Sequence, residues 1–158
     1  MTQSTNRPPG KYYEELNVGD TWETKSRTVT ETDLVNFTSF SWDTHPMHTN
    51  AEYARNSPFG QRLMHGPGVF AMASGLEIGL GFKEGTSLVM LGMTWNMKNV
   101  VFIGDTIRVC EVVASKRETK KPDRGIVTFD LQVLNQRDEI VQDGQWVIMF
   151  SRIPAEFA

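Results

Sequence analysis

Between residues 65 and 80 the chain reads HGPGVFAMASGLEIGL, and from residue 87 onward the spacing of its apolar residues changes. In the first stretch Val69, Phe70, Met72, Ala73, Leu76 and Leu80 cover most of a helical surface, with Gly68, Ala71 and Ser74 between them. A helix apolar on nearly every side belongs in an interior. At roughly 12–14 residues it is too short for a bilayer, whose core asks for about 20. The second half alternates instead. In GIVTFDLQVLN, Val127, Phe129, Leu131 and Val133 face one way, and Ile126, Thr128, Asp130 and Gln132 the other. That is a strand with one packed and one wet face.

Strands are predicted over 87–97, 105–117, 125–135 and 140–151, separated by FIGD (102–105), KKPDRG (120–125) and NQRDE (135–139). Consecutive strands after one helix exclude a repeating βαβ chain. They predict an α+β fold in which a long antiparallel sheet wraps one central helix. Ahead of that helix, Thr30 is a helix cap with Asp33 three residues on, and ETDLVNFTSF places Leu34, Phe37 and Phe40 on one face. Pro46 disfavours helix at the residue before it, so this helix stops before SWDTHPMH. Asn50 caps a short helix over AEYARN, and TWETKSRTV (21–29) carries a modest strand signal. Residues 1–10 are polar and end in Pro8-Pro9-Gly10, a loose tail ahead of one domain over 11–158.

Composition bounds the function classes. The apolar share of 39% is lean for a soluble chain, so some apolar surface is expected against a partner subunit. A net charge of -3 and a pI near 5.6 give no basic excess for nucleic acid or an anionic membrane. Cys110 is the single cysteine, which excludes an internal disulfide and fits a reducing compartment. The N-terminal segment lacks the charged-then-apolar pattern of a signal peptide, so the cytoplasm is the expected location.

The groups able to do chemistry at neutral pH are concentrated. His45, His48 and His65 are the three histidines, and Asp43 sits five residues before His48. Imidazole exchanges a proton near pH 7, while a carboxylate is an ionised acceptor there. Pro46 bends the chain between Asp43 and His48, so both side chains can address one small object such as a water molecule. On these residues alone, capping of local turns is the simpler reading. The histidine spacing matches no zinc pattern and has no helical i, i+4 pair, so no metal is expected. Gly66 and Gly68 open the apolar helix, where unpaired N–H groups suit an oxygen gaining negative charge. They serve a tight turn equally well.

FSWDTHPMHTNAEYA (40–54) followed by FGQRLMHGPGVFAMASGL (59–76) resembles the MaoC-like dehydratases, which include the (R)-specific enoyl-CoA hydratases. Their motif runs aspartate, any residue, asparagine, proline, any residue, histidine, and a later His-Gly opens the central helix. Asp43, Pro46, His48 and His65-Gly66 match it, Ser74-Gly75 follows, and the similarity spans roughly residues 12 to 152. The resemblance implies the hotdog fold, a homodimer or higher oligomer with active sites at the interface, and reversible hydration of a 2-enoyl thioester of CoA or acyl carrier protein. It implies that Asp43 and His48 handle the water, that the Gly66 N–H receives the thioester oxygen, and that Ser74 orients Asp43. Trp42, His45, His65 and Pro67 are expected along the substrate. No metal or redox cofactor is implied, CoA belonging to the substrate.

Two positions depart from the pattern. His45 stands where the family has asparagine and is expected to replace a structural amide, the alternative being an added proton carrier. Trp42 stands where glycine is common and is expected to narrow the acyl pocket. His65 is expected to bond backbone near the helix start. Cys110 is expected as a buried thiol, KRETKK (116–121) as a solvated hairpin tip, and the methionines as gap fillers. The rival readings are an acyl-CoA thioesterase and a non-catalytic acyl-CoA-binding module.

Overall fold

The computed structural model describes residues 7–157. Four long antiparallel strands dominate: β3 (Ser87–Met97), β4 (Thr106–Glu118), β5 (Arg124–Leu134) and β6 (Ile140–Ser151). Short strands β1 (Thr21–Glu23) and β2 (Arg27–Thr28) both pair with β4, and the main sheet runs β1-β4-β5-β6-β3. The expected single strand over 21–29 is thus two short pieces with a break between them. Strand alternation in β5 is as expected: Val127, Phe129, Leu131 and Val133 are buried. Ile126 is buried as well.

The central helix α4 (Gly66–Ile78) lies on this sheet, the wrapped-helix architecture of a hotdog fold. Val69, Ala73 and Glu77, spaced four apart, form its buried stripe. The expectation of a helix buried all round is not met within one protomer. Ala71, Gly75 and Ile78 face solvent, and Phe70, Met72 and Leu76 are half-buried. Glu77 turns inward with its charge because Lys83 bridges it to Glu111, all three buried.

Three helices precede α4. Helix α1 (Glu31–Ser41) begins where expected: Asp33 N–H donates to the Thr30 hydroxyl, and the Asp33 carboxylate accepts from Thr30 N–H. The bend around Pro46 contains a further short helix, α2 (Pro46–Thr49), with proline at its first position, where no N–H is needed. Asn50 caps α3 (Ala51–Arg55) through its side chain. Of the expected loose tail, residues 1–6 lie outside the described residues, and residues 7–10 are docked. The Gly10 N–H donates to Glu84 O at 3.0 Å, and Arg7 pairs with Glu15. Among the described residues no helix is long and apolar enough to cross a membrane.

Candidate active site

The site is assembled from the α1–α2 connection and the four residues that lead into α4. Helix α1 ends at Trp42, whose left-handed backbone (φ 61°) turns the chain sharply. Asp43 follows. Its Oδ1 accepts the His45 N–H at 3.2 Å, a local turn that leaves Oδ2 free to point elsewhere. Oδ2 faces His48 Nε2 at 4.0 Å. The other ring nitrogen of His48 is 2.8 Å from Leu63 O. A carbonyl only accepts, so neutral His48 carries its hydrogen on Nδ1 and its lone pair on Nε2. Two acceptors, a carboxylate and an imidazole nitrogen, thus look at each other across a gap too wide for a direct hydrogen bond.

His48 lines a cavity of about 280 Å³ with Leu63, Gly66, Val69, Met97 and Gln142. Gly66 is the first residue of α4, and the helix has no side-chain cap. An N–H at that position has no acceptor within its own helix, and the helix dipole adds partial positive charge. A Cβ there would meet the end of the Met97 side chain, so glycine leaves that side chain its place. One cavity is therefore lined both by His48, which the Asp43 carboxylate faces, and by the residue that opens α4.

His65 completes the cluster. It is 1% exposed, its Nε2 lies 3.1 Å from Asp43 O, and its ring stacks on His48 at 3.7 Å between centroids. Burial pushes its pKa below the ordinary imidazole value, and the neighbouring His48 adds to this. One polar atom each of Asp43, His48 and His65 lies within 4.8 Å of the others. His48 Nδ1 and His65 Nε2 are spent on carbonyls, so the trio has the character of a hydrogen-bonded acid–base cluster.

The model of the MaoC-like domain matches residues 15–133. The chain belongs to the MaoC-like domain family. Protein MaoC of Klebsiella aerogenes is 36% identical over 122 residues, 74% of this chain and 34% of that protein, so the chain spans about a third of that relative. The 3-hydroxybutyryl-CoA dehydratase of Methylorubrum extorquens is 30% identical over 138 residues, 87% of this chain and 82% of that one. The unliganded R-hydratase PhaJ1 of Pseudomonas aeruginosa superposes with a TM-score of 0.73 at 30% identity, covering 93% of both chains.

In this MaoC-like domain, Asp43, His48, His65 and Gly66 come together, and the remaining expected site residues do not. Ser74 is the clearest correction. Its hydroxyl donates to Phe70 O at 3.1 Å, the back-bond a helical serine commonly makes, instead of to Asp43. It lies eight residues beyond Gly66, about 12 Å along the helix axis at the usual rise, and lines a separate cavity with Glu77, Lys83 and Trp146. Pro67 is exposed at the second position of α4 and outside the lining of the His48 cavity. His45 is exposed, and its Nδ1 accepts the Met47 N–H at 3.2 Å as the cap of α2. Trp42 is 86% exposed and Phe40 85% exposed, so the aromatic residues beside Asp43 do not enclose it within one protomer.

Gln142 is a site residue that sequence reasoning missed. It is buried, accepts the Trp95 indole N–H at 2.9 Å and donates to Gly66 O at 2.8 Å, fixing the first peptide of α4. Its inward orientation follows from a β-bulge: Val133 pairs with Gln142 and Leu134 with Ile140, so Val141 is an extra residue and two consecutive side chains are buried. Period-two reading has no way to place that bulge. A larger groove of about 470 Å³ between α1 and α4 carries the Arg27–Asp33 ion pair but no acid–base pair of this kind.

Proposed function

We propose that this chain catalyses the reversible addition of water to the double bond of a 2-enoyl thioester, giving a 3-hydroxyacyl thioester. The observation that carries the reading is the pair of acceptors, Asp43 Oδ2 and His48 Nε2, facing each other at 4.0 Å, with His48 sharing one cavity with Gly66, the first residue of α4. A water molecule between them donates one O–H to each, which presents its oxygen lone pair to the substrate. That oxygen bonds to C3, and the electron pair of the double bond moves toward the thioester oxygen, where the Gly66 N–H receives the charge. His48 Nε2 takes a proton from the water, and the Asp43–His48 pair delivers one to C2, so protons and electrons balance. Removal of one such oxygen-binding donor costs about 10²–10³ in rate, and positioned acid–base groups supply about 10²–10⁴.

The relatives support the substrate class: the Methylorubrum protein is named for a CoA thioester of a 3-hydroxy acid, and the Pseudomonas protein is an R-hydratase. The thioester carrier is CoA or acyl carrier protein. The addition changes no overall oxidation level, so the reading needs no redox cofactor. The working form is a homodimer, supported by the exposed apolar β3 edge and the open side of α4. The free Cys110 fits a reducing compartment such as the cytoplasm.

The test follows loss of enoyl-thioester absorbance with crotonyl-CoA. Asp43→Asn and His48→Ala are each expected to lower kcat by about 10²–10⁴ with the fold intact by circular dichroism. Full activity in either variant rejects the assignment. Free thiol released from a saturated acyl-CoA supports thioester hydrolysis instead.

A further inference from the structure

Four consecutive residues hold everything that must keep register in the proposed site. Leu63 O accepts from His48 Nδ1 at 2.8 Å. The Met64 N–H donates to Val101 O at 2.8 Å, and Leu63 forms an isolated antiparallel bridge with Phe102, which ties the segment to the strand side of the molecule. His65 reaches Asp43 O at 3.1 Å, and Gly66 opens α4. The acid–base pair and the oxygen-binding amide are therefore set by one short bracket, in which His65 supplies the one polar side chain.

We propose that His65 is a positioning residue that holds the main chain of Asp43 and gives the His48 ring a flat, uncharged floor. This rests on the hydration reading of the same site. The chemistry follows from the hydrogen bonds. Asp43 O can only accept, so His65 carries its hydrogen on Nε2 and its lone pair on Nδ1. Among the described residues nothing donates to that buried Nδ1. A second proton there places a charge in a site 1% exposed, against a ring that itself becomes positive whenever His48 accepts a proton. The titratable groups facing His65 are Asp43 and His48, with His45 beyond His48, and Phe37 from α1 lies 5.0 Å away. His65 Nε2 is spent on Asp43 O and its Nδ1 is buried without a partner among the described residues, so its action is through Asp43 and His48.

Two variants separate the parts of this role. His65→Phe keeps a flat ring under His48 and removes the donor to Asp43. His65→Asn keeps a donor and removes the stack. With crotonyl-CoA, His65→Phe is expected to lower kcat about 10²-fold, what a misplacement of about 1 Å costs, with little change in KM. In both variants the acid limb of kcat/KM is expected to move, because the Asp43 carboxylate shifts against His48 in the first and the His48 ring loses its stacking partner in the second. Nitrogen-15 NMR of the wild-type imidazoles gives a readout independent of folding in the variants and of turnover. His65 is expected to show the Nε2–H tautomer and to stay neutral below the ordinary imidazole range. Unchanged kcat and acid limb in His65→Phe, or ordinary imidazole titration of His65, overturns the proposal. A wild-type protein that hydrates no enoyl thioester sinks the reading of the site instead, and the NMR result then decides the hold on Asp43 alone.

Discussion

Trp42 occupies a backbone conformation that tryptophan rarely adopts. At φ 61° and ψ 13° it caps α1 with its N–H on Thr38 O at 2.9 Å, and its side chain is 86% exposed. A left-handed conformation costs an L-residue about 1–2 kcal/mol, and glycine at such a site gives back about 0.5–1 through unfolded-state entropy. Trp42→Gly is therefore expected to raise the unfolding free energy by about 0.5–1 kcal/mol, read from the urea midpoint. A fall in stability would show that the indole is packed in the working assembly. The family's common glycine before the aspartate has its physical reason here: the chain must turn left to aim Asp43 at His48. Asp43, Pro46 and His48 are read as a site from the family resemblance, since the proline bend alone leaves local capping as the simpler reading. Ser74 was misread because its role was carried over without the helix geometry that separates it from Asp43.

At the scale of elements, the strand limits from residue 87 onward were readable because alternation and turn chemistry agree, with Gly104 at φ 97° and Asp138 at φ 62° in the expected turns. The polar cluster beneath α4 was not readable. Glu77, Lys83 and Glu111 come from a helix, a loop and a strand, and only the fold joins them. Lys83 also lies 4.3 Å from the centre of the Phe129 ring. Burial pushes Glu111 up to about 8 against an ordinary 4.5, with the Lys83 charge opposing the rise. Between those values the folded chain holds a proton that the unfolded chain has lost. This contribution to stability is complete below pH 4.5 and fades as pH rises to about 8. His65 acts in the opposite sense, since its lowered pKa costs stability as pH falls below the ordinary imidazole value of 6.5. Comparison with Glu111→Gln isolates the first effect. The fall in melting temperature between pH 5.5 and 8.5 (roughly the upper part of the titration range) is expected to be smaller in the variant than in the wild type. Equal slopes would remove Glu111 from the pH dependence. Within α4 itself, Gly66→Ala forces its methyl against Met97 Sδ and is expected to lower kcat about 10²–10³-fold by displacing the first amide. A kcat within twofold of wild type would show that Met97 gives way and the amide keeps its place.

At the scale of the whole molecule, a single copy of the chain leaves a long apolar strand edge open. Strand β3 pairs with β6 on one side and ends the sheet on the other. Its residues Leu88, Val89, Met90, Leu91, Met93 and Met97 are all 43% exposed or more. A long apolar edge is a template for another strand, and soluble proteins blunt such edges or pair them. Lys98 is the nearest charge, beyond the strand's end, and no proline interrupts it. The open side of α4, with Ala71, Gly75 and Ile78 in solvent, and the half-exposed Asp43 side chain also lack cover. A two-fold pairing of β3 with a second copy extends the sheet and is closed by symmetry, leaving no β3 edge for a third copy. It also brings a second surface toward Met97 and Gly66, which lie at the end of β3 and at the start of α4. Sedimentation is therefore expected to give about twice 17.9 kDa. Leu91→Lys, a charge in the middle of that edge, is expected to yield monomers at micromolar concentration that keep the far-ultraviolet dichroism of the fold and lose most crotonyl-CoA hydration. A wild-type monomer with full activity would show that one protomer closes the water site by itself. A Leu91→Lys dimer would move the interface off β3, leaving the open side of α4 as the surface that meets the partner.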